Sequence, residues 1–160
     1  MICIIDYKMG NLLSVKSALS YLGHESIISS SNSIIENSEI LILPGVGSFK
    51  EAMNFIIQNK IDKSIQIALS KGSKILGICL VMQLLCSSSN EDGFCKGLSY
   101  INFSFSRFTD EDVKNERIPH IGFNSVKFNK NDILYKDLKQ DTFFYFVHSY
   151  RAKKNINIDD

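Results

Sequence analysis

The sequence predicts an α/β fold with a largely parallel sheet and an antiparallel extension. In the first half, short apolar runs alternate with segments of helical period, whereas aromatic and β-branched runs fill the second half. Alternating strands and helices form right-handed βαβ crossovers, which make a parallel sheet covered on both faces. Ligands of such sheets bind at the carboxyl ends of the strands. The turns that follow the strands are therefore where a site is expected.

The elements of the first half follow from the spacing of its apolar residues. Ile2–Asp6 is a predicted strand, Tyr7–Asn11 a polar turn, and the helical spacing that begins at Leu12 ends at Gly23. Further predicted elements are strands at 25–29 and 39–43, helices at 49–58 and 60–71, a buried strand from Ser73, and a helix after Cys79 that reaches Cys86. Residues 29–33 and 87–97 are predicted loops.

The second half is predicted to add strands without crossover helices. The strand candidates are Tyr100–Phe108, Gly122–Phe128 and Thr142–Tyr150, and Asn129–Asp132 is a turn candidate. Runs rich in aromatic and β-branched residues that are separated by turns are typical of mixed or antiparallel sheets.

Composition indicates one ordinary globular domain over residues 1–160. The chain is 44% hydrophobic and 22% charged, with a net charge of +1, so we expect no nucleic-acid partner. No apolar run approaches the roughly 20 residues of a membrane span. The start of the chain lacks a basic leader. We therefore expect a cytoplasmic protein without membrane contact.

The four cysteines show no spacing typical of metal ligands. Without a CxxC pair, the simplest interpretation is a reduced compartment, no metal and no cofactor. We expect Cys3 and Cys86 in the core and Cys95 at the surface.

Cys79 is the strongest candidate for a reactive residue because it lies between a strand and a helix. Gly77 occupies one glycine position of a nucleophile elbow, and Val81 occupies the other, where its branched side chain is expected to crowd the turn. A helix amino terminus can lower a cysteine pKa from about 8.5 to between about 3.5 and 7.5. The alternative is a small buried apolar side chain. Local pattern alone does not separate the two.

The turn Pro44–Gly47 is the second candidate. Gly45 and Gly47 at the carboxyl end of a strand let the backbone approach a ligand, and peptide NH groups there can stabilise an oxyanion. A plain strand-to-helix turn is the alternative. The predicted topology places this turn and Cys79 on the same rim of one sheet.

Five motifs occur in a fixed order along the chain. They are Asp6-Tyr7-x-Met9-Gly10-Asn11, Leu43-Pro44-Gly45-Val46-Gly47-Ser48-Phe49, Leu76-Gly77-Ile78-Cys79-Leu80-x-Met82-Gln83-Leu84-Leu85, Pro119-His120-Ile121-Gly122-Phe123-Asn124 and Tyr145-Phe146-Val147-His148-Ser149-Tyr150. Together they resemble the glutaminase subunits of imidazole glycerol phosphate synthase, within the class I glutamine amidotransferases. This resemblance implies a flavodoxin-like three-layer fold, here without its C-terminal part.

The resemblance also implies a reaction and its residues. Cys79 would attack the glutamine side-chain amide, and the NH groups of Val46 and Leu80 would hold the oxyanion. The implied glutamine-binding residues are Gly45, Gly47, Gln83, His148, Ser149 and Tyr150.

A synthase partner is implied as well. Ammonia would pass to a (β/α)₈ subunit of a heterodimer that makes imidazole glycerol phosphate and AICAR in histidine biosynthesis. Asn11, Phe123 and Tyr145 match positions at the surface that meets this partner.

The sequence departs from the family pattern in three places. Lys8 and Val81 stand where glycine is usual, and a Val81→Gly change is expected to raise turnover. The His-Pro-Glu motif that supplies the catalytic base is not found in the sequence, so we expect a chain that is incomplete after Asp160. The alternatives are an inactive relative that binds a partner, and a paralogue that supplies ammonia for surface-sugar modification.

Overall fold

The computed structural model describes residues 1–113, 117–128 and 133–154. The chain divides into two compact units. The first comprises Met1–Ser106 with the described residues from Ala152 onwards, and the second comprises Arg107–Arg151.

A four-stranded parallel sheet is the centre of the first unit. Its elements are β1 (Ile2–Ile5), α1 (Leu12–Tyr21), β2 (Ser26–Ser29), α2 (Asn32–Glu36), β3 (Ile40–Gly45), α3 (Phe49–Gln58), α4 (Ile61–Ser70), β4 (Lys74–Cys79) and α5 (Leu80–Leu84). The strands lie in the order β2-β1-β3-β4, and every neighbouring pair is parallel. This order, with its helical crossovers, is that of a doubly wound sheet. The predicted α/β fold is confirmed.

The core lies between one face of this sheet and the helices α2 to α5. Alternation along the strands brings Cys3, Ile5, Leu41 and Leu43 to that face, where they are buried. The helices add apolar residues at helical spacing, namely Phe49, Ala52, Met53 and Ile56 of α3 and Ile61, Ile65 and Ala68 of α4. Helix α1 contributes no buried residue to this core.

The strands of the second half form two further sheets. Their elements are β5 (Cys86–Ser89), β6 (Cys95–Lys96), β7 (Ile101–Arg107), α6 (Asp110–Val113), β8 (His120–Val126), β9 (Thr142–His148) and β10 (Tyr150–Lys154). One sheet has the order β10-β7-β5-β6, with β5 parallel to β7 and antiparallel to β6. Strands β8 and β9 form an antiparallel pair within the second unit. The predicted antiparallel extension is therefore present.

Several local predictions are wrong. Cys86 is buried as expected but begins β5 instead of lying on a helix, and the predicted loop at 87–97 contains parts of β5 and β6. Cys95 packs partly buried against the core and is not a surface thiol. Helix α2 begins at Asn32, inside the predicted loop at 29–33. The turn predicted at Asn129–Asp132 lies outside the described residues.

Strand β4 is an edge strand, although a buried strand is predicted before Cys79. Leu76 and Ile78 are 41% and 39% exposed, because among the described strands β4 has a neighbour only in β3. The edge position leaves Cys79, the last residue of β4, open to solvent.

Candidate active site

Cys79 is held in a strained backbone conformation between β4 and α5. Its φ is 57° and its ψ is −117°, a region that L-residues other than glycine rarely occupy. Such outliers persist where the surrounding structure fixes them, and they cluster at active sites. The side chain of Cys79 is exposed, and Leu80 begins the helix immediately after it. This is the geometry of a nucleophile elbow, as predicted from the sequence.

The crowding expected from Val81 does not strain its own backbone. Val81 is part of helix α5, has no positive φ, and is completely buried in the core. The residue of the elbow that packs most closely is Gly77, because a Cβ atom there would lie 2.9 Å from the Met82 nitrogen. The strain of the turn is therefore concentrated at Cys79.

The Pro44–Gly47 turn lies beside Cys79 on the same rim. Gly45 pairs with Cys79 in the parallel register of β3 and β4. Val46 follows β3 and is 60% exposed, and Gly47 has a φ of 102°. The inference that the two candidate segments share one rim is confirmed.

The loop after β1 packs against this turn. A Cβ atom on Gly45 would lie 2.0 Å from the Tyr7 hydroxyl, and one on Gly47 would lie 2.9 Å from Met9 Cε. Gly10 approaches the Pro44 carbonyl in the same way, with a distance of 2.5 Å for a Cβ atom. The first and second motifs are therefore one packed unit, which spacing along the chain does not reveal.

Gln83 lies one helical turn after Cys79 and carries an unsatisfied polar atom. Its Oε1 is buried and has no hydrogen-bond partner among the described residues. A buried acceptor of this kind costs free energy unless it finds a donor. Among the described residues, Gln83 therefore carries a buried acceptor that no protein donor satisfies.

Helix α3 is capped by Ser48, which also contacts the turn between β5 and β6. Ser48 Oγ accepts a hydrogen bond from the Glu51 NH and donates one to Asp92 Oδ2 at 3.2 Å. Burial raises the pKa of Glu91, although a hydrogen bond from the Phe49 NH acts in the opposite direction. Sequence reasoning assigned no role to Glu91 and Asp92, because they lie more than 40 residues away in a segment predicted as a loop.

In the second unit, His148 belongs to a chain of hydrogen bonds. Its Nδ1 lies 2.8 Å from the Tyr150 carbonyl oxygen, and its Nε2 lies 3.0 Å from His120 Nδ1. His120 Nε2 in turn lies 3.0 Å from Asn124 Nδ2. Both ring nitrogens of His148 are therefore occupied. Ser149 and Tyr150 are half-buried, and the Ser149 carbonyl accepts a hydrogen bond from the Phe108 NH.

Comparison with known proteins identifies the family. The sequence matches the family model of glutamine amidotransferase class-I over residues 3–160. The chain belongs to this family. It is 43% identical over 152 residues to the imidazole glycerol phosphate synthase subunit HisH 1 of Parasynechococcus marenigrum (strain WH8102), covering 94% of this chain and 72% of that protein. Identity to subunit HisH of Caldanaerobacter subterraneus subsp. tengcongensis is also 43%, over 97% of this chain and 74% of that protein.

Solved structures agree with this amidotransferase fold. A crystal structure of a glutamine amidotransferase superposes with a TM-score of 0.65 at 16% identity, covering 92% of this chain and 71% of that chain. The crystal structure of a candidate GMP synthase component from Thermoplasma acidophilum gives a TM-score of 0.61 at 16% identity, over 99% of this chain and 68% of that chain.

The three residues predicted to contact a partner, Asn11, Phe123 and Tyr145, are all exposed in the amidotransferase. Phe123 and Tyr145 face each other across β8 and β9, with ring centroids 5.3 Å apart, and are 68% and 57% exposed. Asn11 is exposed and also caps α1, since its side chain accepts a hydrogen bond from the Ser14 NH. That capping function was not predicted.

Two kinds of feature are missing from the described part of the amidotransferase. Within residues 1–113, 117–128 and 133–154, no group of three His, Cys, Asp or Glu side chains is placed to hold a metal ion. In the same ranges, no helix has both the length and the apolar character needed to cross a bilayer.

Proposed function

We propose that this chain is the glutaminase subunit of an imidazole glycerol phosphate synthase. It hydrolyses glutamine to glutamate and supplies the ammonia for a step of histidine biosynthesis. The observation that carries the proposal is the strained, exposed Cys79, paired with Gly45 at the turn that leads to Val46. The names of the relatives, all about 40% identical over nearly the whole chain, point to the same enzyme.

The reaction begins at the sulfur of Cys79. The thiol loses its proton, and the thiolate attacks the side-chain carbonyl carbon of glutamine to form a tetrahedral intermediate. We assign its oxyanion to the backbone NH groups of Val46 and Leu80, the residues that directly follow the paired Gly45 and Cys79. The general base passes the proton taken from the thiol to the amide nitrogen, so the intermediate expels ammonia and leaves a glutamyl thioester. Water then cleaves the thioester, which releases glutamate and restores the thiol.

The remaining contacts to glutamine are assigned by family resemblance. Gln83 fits this role because its buried Oε1 lacks a protein donor among the described residues. Gly45 and Gly47 fit this role because neither adds a side chain to the turn. His148, Ser149 and Tyr150 are proposed to bind the α-amino and carboxylate groups.

None of the three histidines of the sequence is assigned as the base. His24 precedes β2 and therefore lies at the amino-terminal edge of the sheet, opposite to the edge that carries Cys79. Both ring nitrogens of His148 are hydrogen-bonded, one of them to His120. A general base needs a free lone pair within reach of the proton it accepts.

The proposed partner is a cyclase subunit with a (β/α)₈ fold. It would contact Asn11, Phe123 and Tyr145, which are all exposed, and would receive the ammonia. Aromatic residues, including Tyr and Phe, are enriched in protein interfaces.

The test is glutamate release by the chain mixed with its cyclase partner. Release is expected to disappear in Cys79→Ala and to persist in Cys95→Ala, a matched change at a cysteine outside the site. His148→Ala is expected to weaken glutamine binding and to retain release that depends on Cys79.

Three outcomes would contradict the proposal. Release that survives in Cys79→Ala excludes Cys79 as the nucleophile. A complex that forms with the partner but releases no glutamate supports the inactive, partner-binding alternative. Release without transfer of ammonia to the cyclase product would instead favour the surface-sugar paralogue.

A further inference from the structure

Tyr7 carries a buried hydroxyl group that core packing does not explain. The residue is completely buried in the core of the first unit, and its hydroxyl has no hydrogen-bond partner among the described residues. Buried hydroxyl groups are nearly always hydrogen-bonded, because an unpaired one loses its hydration without compensation. A phenylalanine would fill the same core position without this cost. The hydroxyl therefore needs a function other than stabilising the core.

The hydroxyl packs against the main chain of Gly45. A Cβ atom on Gly45 would lie 2.0 Å from the Tyr7 oxygen, and a Cβ atom is one bond length from its Cα. The oxygen is therefore in van der Waals contact with the Gly45 backbone, in the space where any other residue would carry its side chain. The contact requires both the glycine and the hydroxyl group.

The helix after the nucleophile reaches the same point. The Cβ position of Gly45 also lies 2.8 Å from Val81 Cγ2 and 3.4 Å from Leu80 Cβ. Gly45 pairs with Cys79 in the register of the two strands, and the residues that follow this pair, Val46 and Leu80, carry the NH groups assigned to the oxyanion. The hydroxyl thus fills the point at which the two NH-bearing segments meet.

We propose that Tyr7 is a positioning residue of the glutaminase site, whose hydroxyl holds the Gly45 main chain, and with it the Val46 NH, in the place that the oxyanion requires. This inference rests on the proposed function. The hydroxyl transfers no proton and touches no substrate. It acts through packing, and its loss leaves a gap beside Gly45 into which the turn can move. An oxyanion donor is effective because it is held in place before the reaction begins.

The first test is the steady-state kinetics of Tyr7→Phe in the full chain with its cyclase partner. The change keeps the ring and removes the oxygen. We expect kcat for glutamate release to fall about tenfold, because a misplacement of about 1 Å can cost about 100-fold. KM for glutamine is expected to stay the same, since the oxyanion exists only after attack. An unchanged kcat, or a change confined to KM, overturns the proposal.

The stability of the same variant separates positioning from a structural role. Because Tyr7→Phe removes an unpaired polar group, its urea midpoint is expected to equal or exceed that of the unchanged chain. A lower midpoint would mean that the hydroxyl stabilises the core, which contradicts the proposal. Tyr100→Phe is the matched control: burial, followed by the charge of Asp62, raises the pKa of Tyr100, so this change removes a partly buried hydroxyl in another environment. An equal fall of kcat in both variants would contradict a specific role for Tyr7.

A second measurement tests the contact itself and needs no turnover. Gly45→Ala brings a methyl group against the Tyr7 oxygen and should lower the urea midpoint, whereas Tyr7→Phe clears that space. The loss caused by Gly45→Ala is therefore expected to be smaller in the double variant, although Val81 Cγ2 keeps the recovery partial. If Gly45→Ala does not fold by itself, the expected result is that the double variant folds.

Gly47→Ala is the control for this pair of changes. Its methyl group would meet Met9 Cε at 2.9 Å, so Tyr7→Phe should not lessen its effect. A loss from Gly45→Ala that is the same with and without Tyr7→Phe overturns the proposal. Coupled midpoints in a chain that releases no glutamate would reject the proposed function alone, because the hydroxyl would still hold the turn.

Discussion

Gly10 lies against the carbonyl group of Pro44 so closely that a methyl group on Gly10 would come within 2.5 Å of the oxygen. Its φ of 138° adds a second reason for glycine at this position. Gly10→Ala is therefore expected to lower the free energy of unfolding by about 1 to 3 kcal/mol. Glutamate release should fall as well, because the contact supports the turn that carries Val46.

Gly23→Ala is the control for this change. Gly23 also has a positive φ, 80°, but nothing lies within 4 Å of its Cβ position. The Gly23→Ala variant is expected to have a lower free energy of unfolding, because of its positive φ, but to release glutamate as the unchanged chain does. Equal losses of release in both variants would contradict a specific contact between Gly10 and the turn. Chemical denaturation and the release assay give the two readouts.

Lys8 occupies a left-handed conformation in which glycine is more stable. Its φ is 68°, and the Asp6 carboxylate accepts hydrogen bonds from the Lys8 NH at 2.9 Å and from its Nζ at 3.2 Å. The left-handed region costs a side-chain-bearing residue about 1 to 2 kcal/mol, whereas an exposed ion pair contributes about 0 to 1 kcal/mol. Lys8→Gly keeps the backbone hydrogen bond and loses only the ion pair.

We therefore expect Lys8→Gly to raise the free energy of unfolding by up to about 1 kcal/mol. Lys16→Gly, in the middle of α1, should lower it by about 1 kcal/mol, because glycine is unfavourable inside a helix. Urea denaturation followed by circular dichroism measures both. A lower stability of Lys8→Gly would mean that the ion pair outweighs the strain.

Val81→Gly is expected to destabilise the elbow instead of relaxing it. The structure reverses the expectation drawn from sequence, because Val81 is fully buried and helical. Loss of the buried Val81 side chain is expected to lower the free energy of unfolding by about 1.5 to 3 kcal/mol. Glycine inside a helix lowers it by about 1 kcal/mol more. Turnover should stay level or fall. A rate above that of the unchanged chain, with stability retained, would show that Val81 does hinder the oxyanion site.

The bounds of helices α3 and α4 and the positions of the two candidate segments were predictable because they depend on local spacing. Helix α3 covers the predicted range 49–58, and Gly45 and Cys79 meet at one rim as parallel topology requires. Strand β5 was missed because the run Cys86–Ser89 lacks an alternating pattern and is formed by pairing with β7, about 15 residues later. The packing of Tyr7 against Gly45 was not predictable, because it depends on how separate segments meet in three dimensions.

Asp112 should make the second unit sensitive to acid. Thr109 and Asp112 cap each other, since Asp112 Oδ2 accepts from the Thr109 NH at 3.0 Å and Thr109 Oγ1 accepts from the Asp112 NH at 3.3 Å. The Thr109 NH, together with Arg151, lowers the pKa of Asp112 to about 2. The unfolded chain takes up this proton first, near an ordinary pKa of about 3.9. The stabilisation is thus complete above about pH 4 and is lost as the pH falls towards 2.

Asp112→Asn is expected to reduce the pH dependence of the free energy of unfolding between about pH 4 and pH 2. Asp110→Asn removes a neighbouring carboxylate of the same short helix and serves as the control. Urea midpoints between pH 2 and pH 6 are the measurement. An unchanged slope in Asp112→Asn would show that the cap does not stabilise the folded chain.

The hydrogen bonds of His148 and His120 determine which ring nitrogens carry protons. A carbonyl oxygen can only accept, so His148 Nδ1 donates to Tyr150. At the other end of the chain, the Asn124 Nδ2 amide can only donate, so His120 must donate from its Nδ1 to His148 Nε2. His120 Nε2 then accepts from Asn124 Nδ2. These directions place a proton on Nδ1 of both rings, which we expect long-range ¹H–¹⁵N correlation spectra to show. Asn124→Asp places a carboxylate acceptor opposite His120 Nε2, so a proton is expected on that nitrogen in the variant. A spectrum that shows His148 protonated at Nε2 would contradict these hydrogen-bond directions and would make the Nδ1 lone pair of His148 available.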